Sequence, residues 1–501
     1  MSHRPACRAT QTHPGRLRLL PHATAGALLV MVAAASTAPA HEPQLQMSEQ
    51  TRSFLDSILD ANQRQALQRT LTAADTWGSL GPHPTGGPEP LPVDPPEQRL
   101  DLSIADDAQG TGTAEDPYVN VISNFLARFD YDPIAIEAYQ SYPDQNQIDR
   151  YMTSLAYAPK RLVIPPGHYR ETMKTQDSPH RHYEQRIVAL DVPPGIWLEG
   201  DGQVVIEPDV DEGTVGTLVN LNIHAALVNV VLDGSGIPGF EPRPQTRING
   251  VKAAHHAVIA DNHIHRFTHR GITAAGNRGR AGSNVIVSNN LIEDIGYSGI
   301  SSQSRWIVRD NQIRYAGALR AHGGADDGII PRHGIEGKIV NNLVVLAPRP
   351  NARHVISGQV AHDVLVAGNI TIAQGSVRNN IGFSDGSHRN RILANVILGM
   401  GESDSAIQAA VSMNGYGNVI TNNFAAGNPR AFRATGQQDQ PLNRIAENYA
   451  EYVASAIHRS RYYEAADNDM RQTGTRRGDR FISPLPIVEL ERFGYFQRVQ
   501  R

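Results

Sequence analysis

One strand phrase built around an asparagine occurs seven times between residues 262 and 423, and few folds can accommodate that recurrence. The anchors are Asn262, Asn290, Asn311, Asn342, Asn369, Asn395 and Asn423, with gaps of 28, 21, 31, 27, 26 and 28 residues. Three residues before each anchor stand Ile259, Val287, Val308, Ile339, Val366, Ile392 and Ile420. Two residues after stand Ile264, Ile292, Ile313, Val344, Thr371, Ile397 and Ala425. Self-similarity at such a period is the signature of a solenoid. Short runs of alternating apolar residues, broken by Asn and Gly, make each repeat a coil of strands rather than of helices. One coil cannot bury its inner face alone, so coils must stack. The expected fold class is all-β, a right-handed parallel β-helix.

The rest of the chain divides around that solenoid. Residues 1–40 read as a secretory signal, with Arg4, Arg8, Arg16 and Arg18, no acid, an apolar run from Ala25 to Ala35, and Ala38-Pro39-Ala40 before a mature start at His41. Residues 41–100 hold one amphipathic helix over 48–74, with Phe54, Leu55, Ile58, Leu59 and Leu67 on one stripe, followed by a linker. Seven prolines and three glycines fall within 81–97. Residues 101–160 form an N-terminal cap with a helix across 133–157. The β-helix occupies 161–436, and 437–501 is a C-terminal capping region that covers otherwise unpaired strand edges.

Charge and cysteine content exclude several roles. Cys7, the only cysteine, lies in the signal, so the mature chain has no disulfide or thiolate chemistry. Losing the four signal arginines takes the net charge from −4 to −8. An acidic chain of this kind carries no electrostatic footprint for nucleic acid. The apolar run is too short to span a bilayer, so no membrane association is expected after processing. A monomer, secreted or periplasmic, is the expected state.

Chemistry belongs on the outward side of a second strand in each coil, often entered through Gly-Ile or Gly-Val. Its inward residues align as Val251, Ile272, Ile300, Ile329, Ile356, Ile381 and Ile407. Side chains alternate faces along a strand, and coils lie about 4.8 Å apart, so equivalent outward positions form ladders. One ladder places Arg332 between Gln303 and Gln359. Another aligns His269, Tyr297, Asp326, Arg353 and Arg378, and a third aligns Arg270, Asp327 and His354. Arg, His, Tyr, Asp and Gln thus gather on the middle coils of one face. The longest repeat gap lies there too, with residues 318–325 added beside the ladder.

A long groove across stacked strands suits a polymer, and Arg beside His or Tyr suits a uronic acid. Abstracting the C5 proton requires a neutralised carboxylate and a base. Arg332 with Arg353 is the expected neutraliser, His354 the base, and Tyr297 the donor to the leaving oxygen. Gln303, Gln359, His333, Arg378, Arg270 and His269 would line the substrate. Lys252, three coils from Arg332 and roughly 14 Å away, is a poor partner. Asp326 and Asp327 admit three readings. With a substrate carboxylate they would hold calcium. They could instead be hydrolytic carboxylates, although hydrolysis wants two acids facing each other across the bond. Asp-Asp-Gly could also simply close a loop. His263, His265 and His269 lack a second cluster at ligand spacing, so no zinc site is expected.

The repeat over residues 160–436 resembles the pectin-lyase-like superfamily of right-handed β-helices, which includes lyases, hydrolases, epimerases and non-catalytic proteins. Gly328-Ile329-Ile330-Pro331-Arg332-His333-Gly334, with Asn342 ten residues beyond Arg332, is similar to a phrase of the alginate lyase and chondroitinase B family. That resemblance implies a catalytic Arg332. The family's base lysine falls on Gln303 and its calcium-binding glutamate on Ser298, so kinship implies a relocated base or a lost lyase activity. The expectation is an exported lyase cleaving an acidic, uronate-containing polysaccharide by β-elimination. The alternatives are a glycoside hydrolase, a C5-epimerase, or a non-catalytic carbohydrate-binding or adhesin protein.

Overall fold

The computed structural model describes residues 49–76, 94–105, 108–131, 145–176, 186–239, 245–275, 282–316, 326–346 and 352–375, and most of 377–485. The repeat unit explains the architecture. An apolar strand such as Val258–Ala260 is followed by a sharp corner, a second strand His263–His265, a turn, and a third strand Arg270–Ala274. The corner residue before each anchor asparagine takes a left-handed conformation, from Asp261 at φ 59° through Asn289, Asp310 and Asn341 to Asn422 at φ 54°. Asn and Asp tolerate that region better than other L-residues with side chains. This accounts for the recurrent Asp-Asn and Asn-Asn pairs.

Stacking the units gives three parallel sheets of 13, 13 and 12 strands among the described residues, here called A, B and C. The single exception inside these sheets is the antiparallel pair of Lys174–Gln176 with Arg186–Val192 at one edge. The architecture is a right-handed parallel β-helix, the hand that parallel crossovers almost always take. Both apolar columns of the phrase are core, with Ile259, Val287, Val308, Ile264, Ile292 and Ile313 fully buried. The anchors themselves form a continuous amide ladder at the corner between sheets A and B. Asn342, for example, donates from its backbone N–H and its Nδ2 to Asn369 Oδ1, both at 2.9 Å. The ladder continues past the seven anchors to Asn448 and Asn468.

Several expectations change. The coils do not end at 436, because Asn443–Ala446, Tyr449–Tyr452 and Ser455–Ile457 add strands to all three sheets. In sheet C, Ile381 pairs with Val411, so Val411 and not Ile407 takes the last inward slot. Ile407 lies outside the described residues. The single helix over 48–74 is two, Glu49–Ile58 and Ala61–Thr76. Asp60 breaks them with a reciprocal cap, its carboxylate accepting the Gln63 N–H at 2.9 Å and its own N–H donating to Gln63 Oε1 at 2.8 Å. Their apolar stripe, Phe54, Leu55, Leu59 and Leu67, docks on outward residues of sheet B including Val345, Ile372, Leu398 and Phe424. In the region expected to be helical over 133–157, the described helix is Gln145–Ser154. No described helix is long and apolar enough to cross a membrane. Residues 1–40 lie outside the described residues.

Candidate active site on the outward face of sheet C

At each coil of sheet C, two successive residues face the core. In the coil of Gly271-Ile272, Ile272 is a core residue, and a Cβ on Gly271 would meet the Ile292 side chain at 2.9 Å. The residues flanking that pair therefore face outward. One outward row runs Arg270, Ser298, and the register partners Asp327, His354 and Asn379. A second row runs Asp191, Asn220, Lys252, Thr273 and Ser301. A third carries Arg332 beside Gln359.

Tyr297 is the centre of the cluster these rows create. Its side chain is 8% exposed. The Arg332 Nη2 donates to its oxygen at 3.1 Å. The Arg270 guanidinium lies over its ring at 5.4 Å, and the His269 ring stacks on it at 5.2 Å and 27°. Arg270 also donates to Thr273 Oγ1 at 3.4 Å. Neither arginine makes an ion pair with a carboxylate among the described residues. The Nε atoms of both are buried without a protein partner, as are Ser298 Oγ and Gln303 Oε1. Burial, then the Arg332 charge, pushes the Arg270 guanidinium down to about 10. Two half-buried guanidinium groups that repel each other, with no carboxylate partner among the described residues, are suited to an anion.

The histidines differ in tautomer, and their neighbours fix the difference. The Asn249 amide donates to Gly216 O at 3.1 Å and Thr217 Oγ1 at 3.3 Å, so its oxygen faces His269 Nδ1 at 2.9 Å. His269 Nδ1 is thus the donor and Nε2 carries the lone pair. Burial first, then Arg270, Arg247 and Arg332, lowers this imidazole to about 3. At His354 the roles reverse. Asn379 Oδ1 accepts the Ala409 N–H at 3.2 Å, so its amide NH₂ faces His354 Nδ1 at 3.3 Å. The Nδ1 lone pair of His354 is therefore engaged. Its ring leans toward the following coil, where a Cβ on Gly382 would lie 2.4 Å from Nδ1.

The structure thus brings together Arg332, Tyr297, Arg270 and His269, while His354 lies one coil beyond Asp327 with its Nδ1 on Asn379. Among the described residues Arg332 meets Arg270 at Tyr297, and the side chain of Arg353, the companion expected for Arg332, is not among them. A register shift between Asp326 and Asp327 makes Asp326 the partner of Ala352, so Arg353 is the extra residue at a bulge and not in register with Asp326. The side chains of Asp326 and Arg353 lie outside the described residues. Asp327 is fully buried and in register with His354. No described group of three or more His, Cys, Asp or Glu residues is arranged to hold a metal. His333 occupies a left-handed turn at φ 49° with its side chain exposed, and Arg378 is also exposed, which puts both outside the buried cluster. His263 and His265 face carboxylates of neighbouring coils, Glu293 at 3.0 Å and Asp233 at 3.6 Å. Sequence reasoning gave no role to Asn249 or Asn379, the two amides that set the histidine tautomers.

No protein-family profile and no curated protein matches this chain. Solved structures that resemble it include the A-module of a mannuronan C-5 epimerase from Azotobacter vinelandii, at 12% identity and TM-score 0.42, covering 69% of this chain and 100% of the module. A GH136 lacto-N-biosidase from Eubacterium ramulus is 12% identical with TM-score 0.40, covering 63% of this chain and 62% of that one. A tailspike protein of E. coli bacteriophage HK620, solved with a pentasaccharide, is 10% identical with TM-score 0.46, covering 74% and 65%. This chain spans less than two thirds of the latter two. The likeness is one of fold.

Proposed function

We propose that this protein is a polysaccharide-active enzyme that cleaves a uronate-containing polymer by β-elimination. The observation that carries the reading is the pair of half-buried arginines meeting at Tyr297, neither with a carboxylate partner among the described residues. A uronate carboxylate bound between Arg270 and Arg332 has its charge neutralised, which acidifies the C5 proton. His269 Nε2 holds the free lone pair of the cluster and takes that proton. The C4–O bond breaks as the C4–C5 double bond forms. Tyr297 accepts from Arg332, which leaves its own O–H to protonate the departing oxygen. Burial chiefly lowers His269 and the arginine charges add to it; the bound carboxylate offsets the arginine contribution and so raises the imidazole's basicity in part.

His354, with Nδ1 engaged by Asn379, serves as a donor to sugar hydroxyls in this scheme and not as the base. Gln303 and Gln359 flank Arg332 as further sugar contacts. Asp327 is fully buried, so the scheme assigns calcium no step, and the chelator comparison tests for a calcium requirement directly. A C5-epimerase would share the proton abstraction and differ in returning the proton. Among the described residues the cluster holds no two opposed carboxylates, which disfavours hydrolysis. The test is incubation with a panel of uronate polymers, with calcium and with chelator, following absorbance of 4,5-unsaturated uronate and new reducing ends. Unsaturated product supports elimination. Reducing ends without unsaturation mean hydrolysis, and neither signal means a binding role.

A further inference from the structure

Within that reading, the groove of sheet C is not symmetrical about Tyr297. The outward row Asp191, Asn220, Lys252, Thr273, Ser301 is continuous in register. At its N-terminal end, Tyr131 is latched across it. The Tyr131 hydroxyl donates to Asp191 Oδ2, and Asn222 Nδ2 donates to the Tyr131 oxygen at 3.2 Å. Asn220 and Asn222 in turn donate to Asp191 Oδ1 at 2.6 and 3.0 Å. Both Asp191 oxygens and the Tyr131 hydroxyl are engaged in this latch, and Asn220 and Asn222 are buried. Tyr131 follows Phe129, whose ring packs edge-on against Tyr157 at 5.1 Å, and Tyr157 Oη donates to Pro194 O at 3.1 Å. The latch thus belongs to a packed cap and not to a free strand of chain.

Thr273, which receives the Arg270 guanidinium, is two coils beyond Asn220, about 10 Å at the usual coil spacing. In the opposite direction the row continues through Ser301, Ile330, Ser357, Gly382 and Ser412 to Arg433. Arg433 Nε is buried without a protein partner, and Arg378 is exposed on the same side. One end of the groove is therefore closed by a tyrosine bonded to an aspartate, and the other carries guanidinium groups suited to further carboxylates.

We propose that the polymer enters with one terminus against the Tyr131 latch and its body along the coils toward Arg433, so that the enzyme is exolytic and releases short products of uniform length. This rests on the uronate reading above and adds the mode of attack. The experiment follows product size and solution viscosity together during digestion of the polymer that the wild-type protein cleaves. Short product from the first time points, with viscosity falling slowly, is expected. A broad ladder of oligomers with an early viscosity drop would overturn the exolytic proposal while leaving uronate cleavage intact. No turnover of any uronate polymer would overturn both. Tyr131→Ala, confirmed folded by its thermal transition, is expected to lengthen the products. Wild-type products from the folded variant would show that the latch does not set the mode. If the variant does not fold, the wild-type product distribution decides alone.

Discussion

Arg332 crosses from its own coil to the preceding one to donate a hydrogen bond to Tyr297 at 3.1 Å, and this contact organises the cleft. It ties a cation to a proton-active oxygen on a scaffold whose coils are locked by backbone ladders and amide stacks. Arg270 completes the arrangement over the face of the ring.

Replacing Arg332 with alanine is expected to lower turnover by about 10²–10³-fold, the usual loss when a charge-stabilising donor is removed. The side chain lies outside the core, so the thermal midpoint should stay within a few degrees of wild type. Arg332→Lys should not restore activity, because an ammonium cannot present the planar fork. Steady-state kinetics beside a thermal melt checks this, and full activity in a folded Arg332→Ala protein would remove Arg332 from the site.

The two histidine environments lead to opposite expectations. His354→Ala should keep kcat within about tenfold of wild type while raising KM, since its Nδ1 lone pair is engaged by Asn379. His269→Ala should lower kcat by about 10²-fold or more, the range for losing a general base. The reverse ranking would return the base role to His354.

Acid stability follows from burial. His256 and His269 are each lowered to about 3, both chiefly by burial, His256 then by its histidine neighbours and His269 by its arginines. The unfolded chain therefore binds more protons between about pH 6.5 and pH 3. Stability is full above that window and declines as pH falls through it. Thermal midpoints measured across this range should drop, and should drop less in His256→Asn, which removes one such group and suits the left-handed φ of 58° at that position. A flat profile would mean that neither imidazole is held neutral by the fold.

The amide ladder is expected to be costly to interrupt. Asn342→Ala removes three donated side-chain bonds and leaves the Asn311 N–H and amide without their acceptor. A loss of roughly 3 kcal/mol or more is expected, since buried donors are left unsatisfied. Denaturant unfolding of this variant measures it, and a change below about 1 kcal/mol would make the ladder incidental.

The solenoid was legible because its cause is local and recurs. The left-handed corner favours Asp, Asn or Gly, with Ala394 the exception among the seven, and the next residue must supply an amide that bonds to its own copy one coil away. The same ladder past Asn423 was missed because Asn448 and Asn468 stand among polar, tyrosine-rich sequence. A second stack, Asn390, Asn418 and Asn443, has too few rungs to register as a period. The site was legible only as a set of rows. Alignment by count put Arg353 beside Asp326, and one bulge residue undid it. Which histidine keeps a free lone pair depends on the orientation of Asn249 and Asn379, and spacing alone does not encode it. The Tyr131 latch joins residues 60 positions apart through a cap that shares no repeat with the groove.

The central claim is that Arg270 and Arg332 together receive a uronate carboxylate at Tyr297. The most direct measurement is calorimetric titration of the protein with a short uronate oligosaccharide and with its carboxyl-reduced, neutral counterpart. The account predicts binding of the acidic oligosaccharide, at least tenfold weaker binding of the neutral one, and loss of that difference in Arg270→Ala/Arg332→Ala. Equal binding of the two oligosaccharides by the wild-type protein would contradict it.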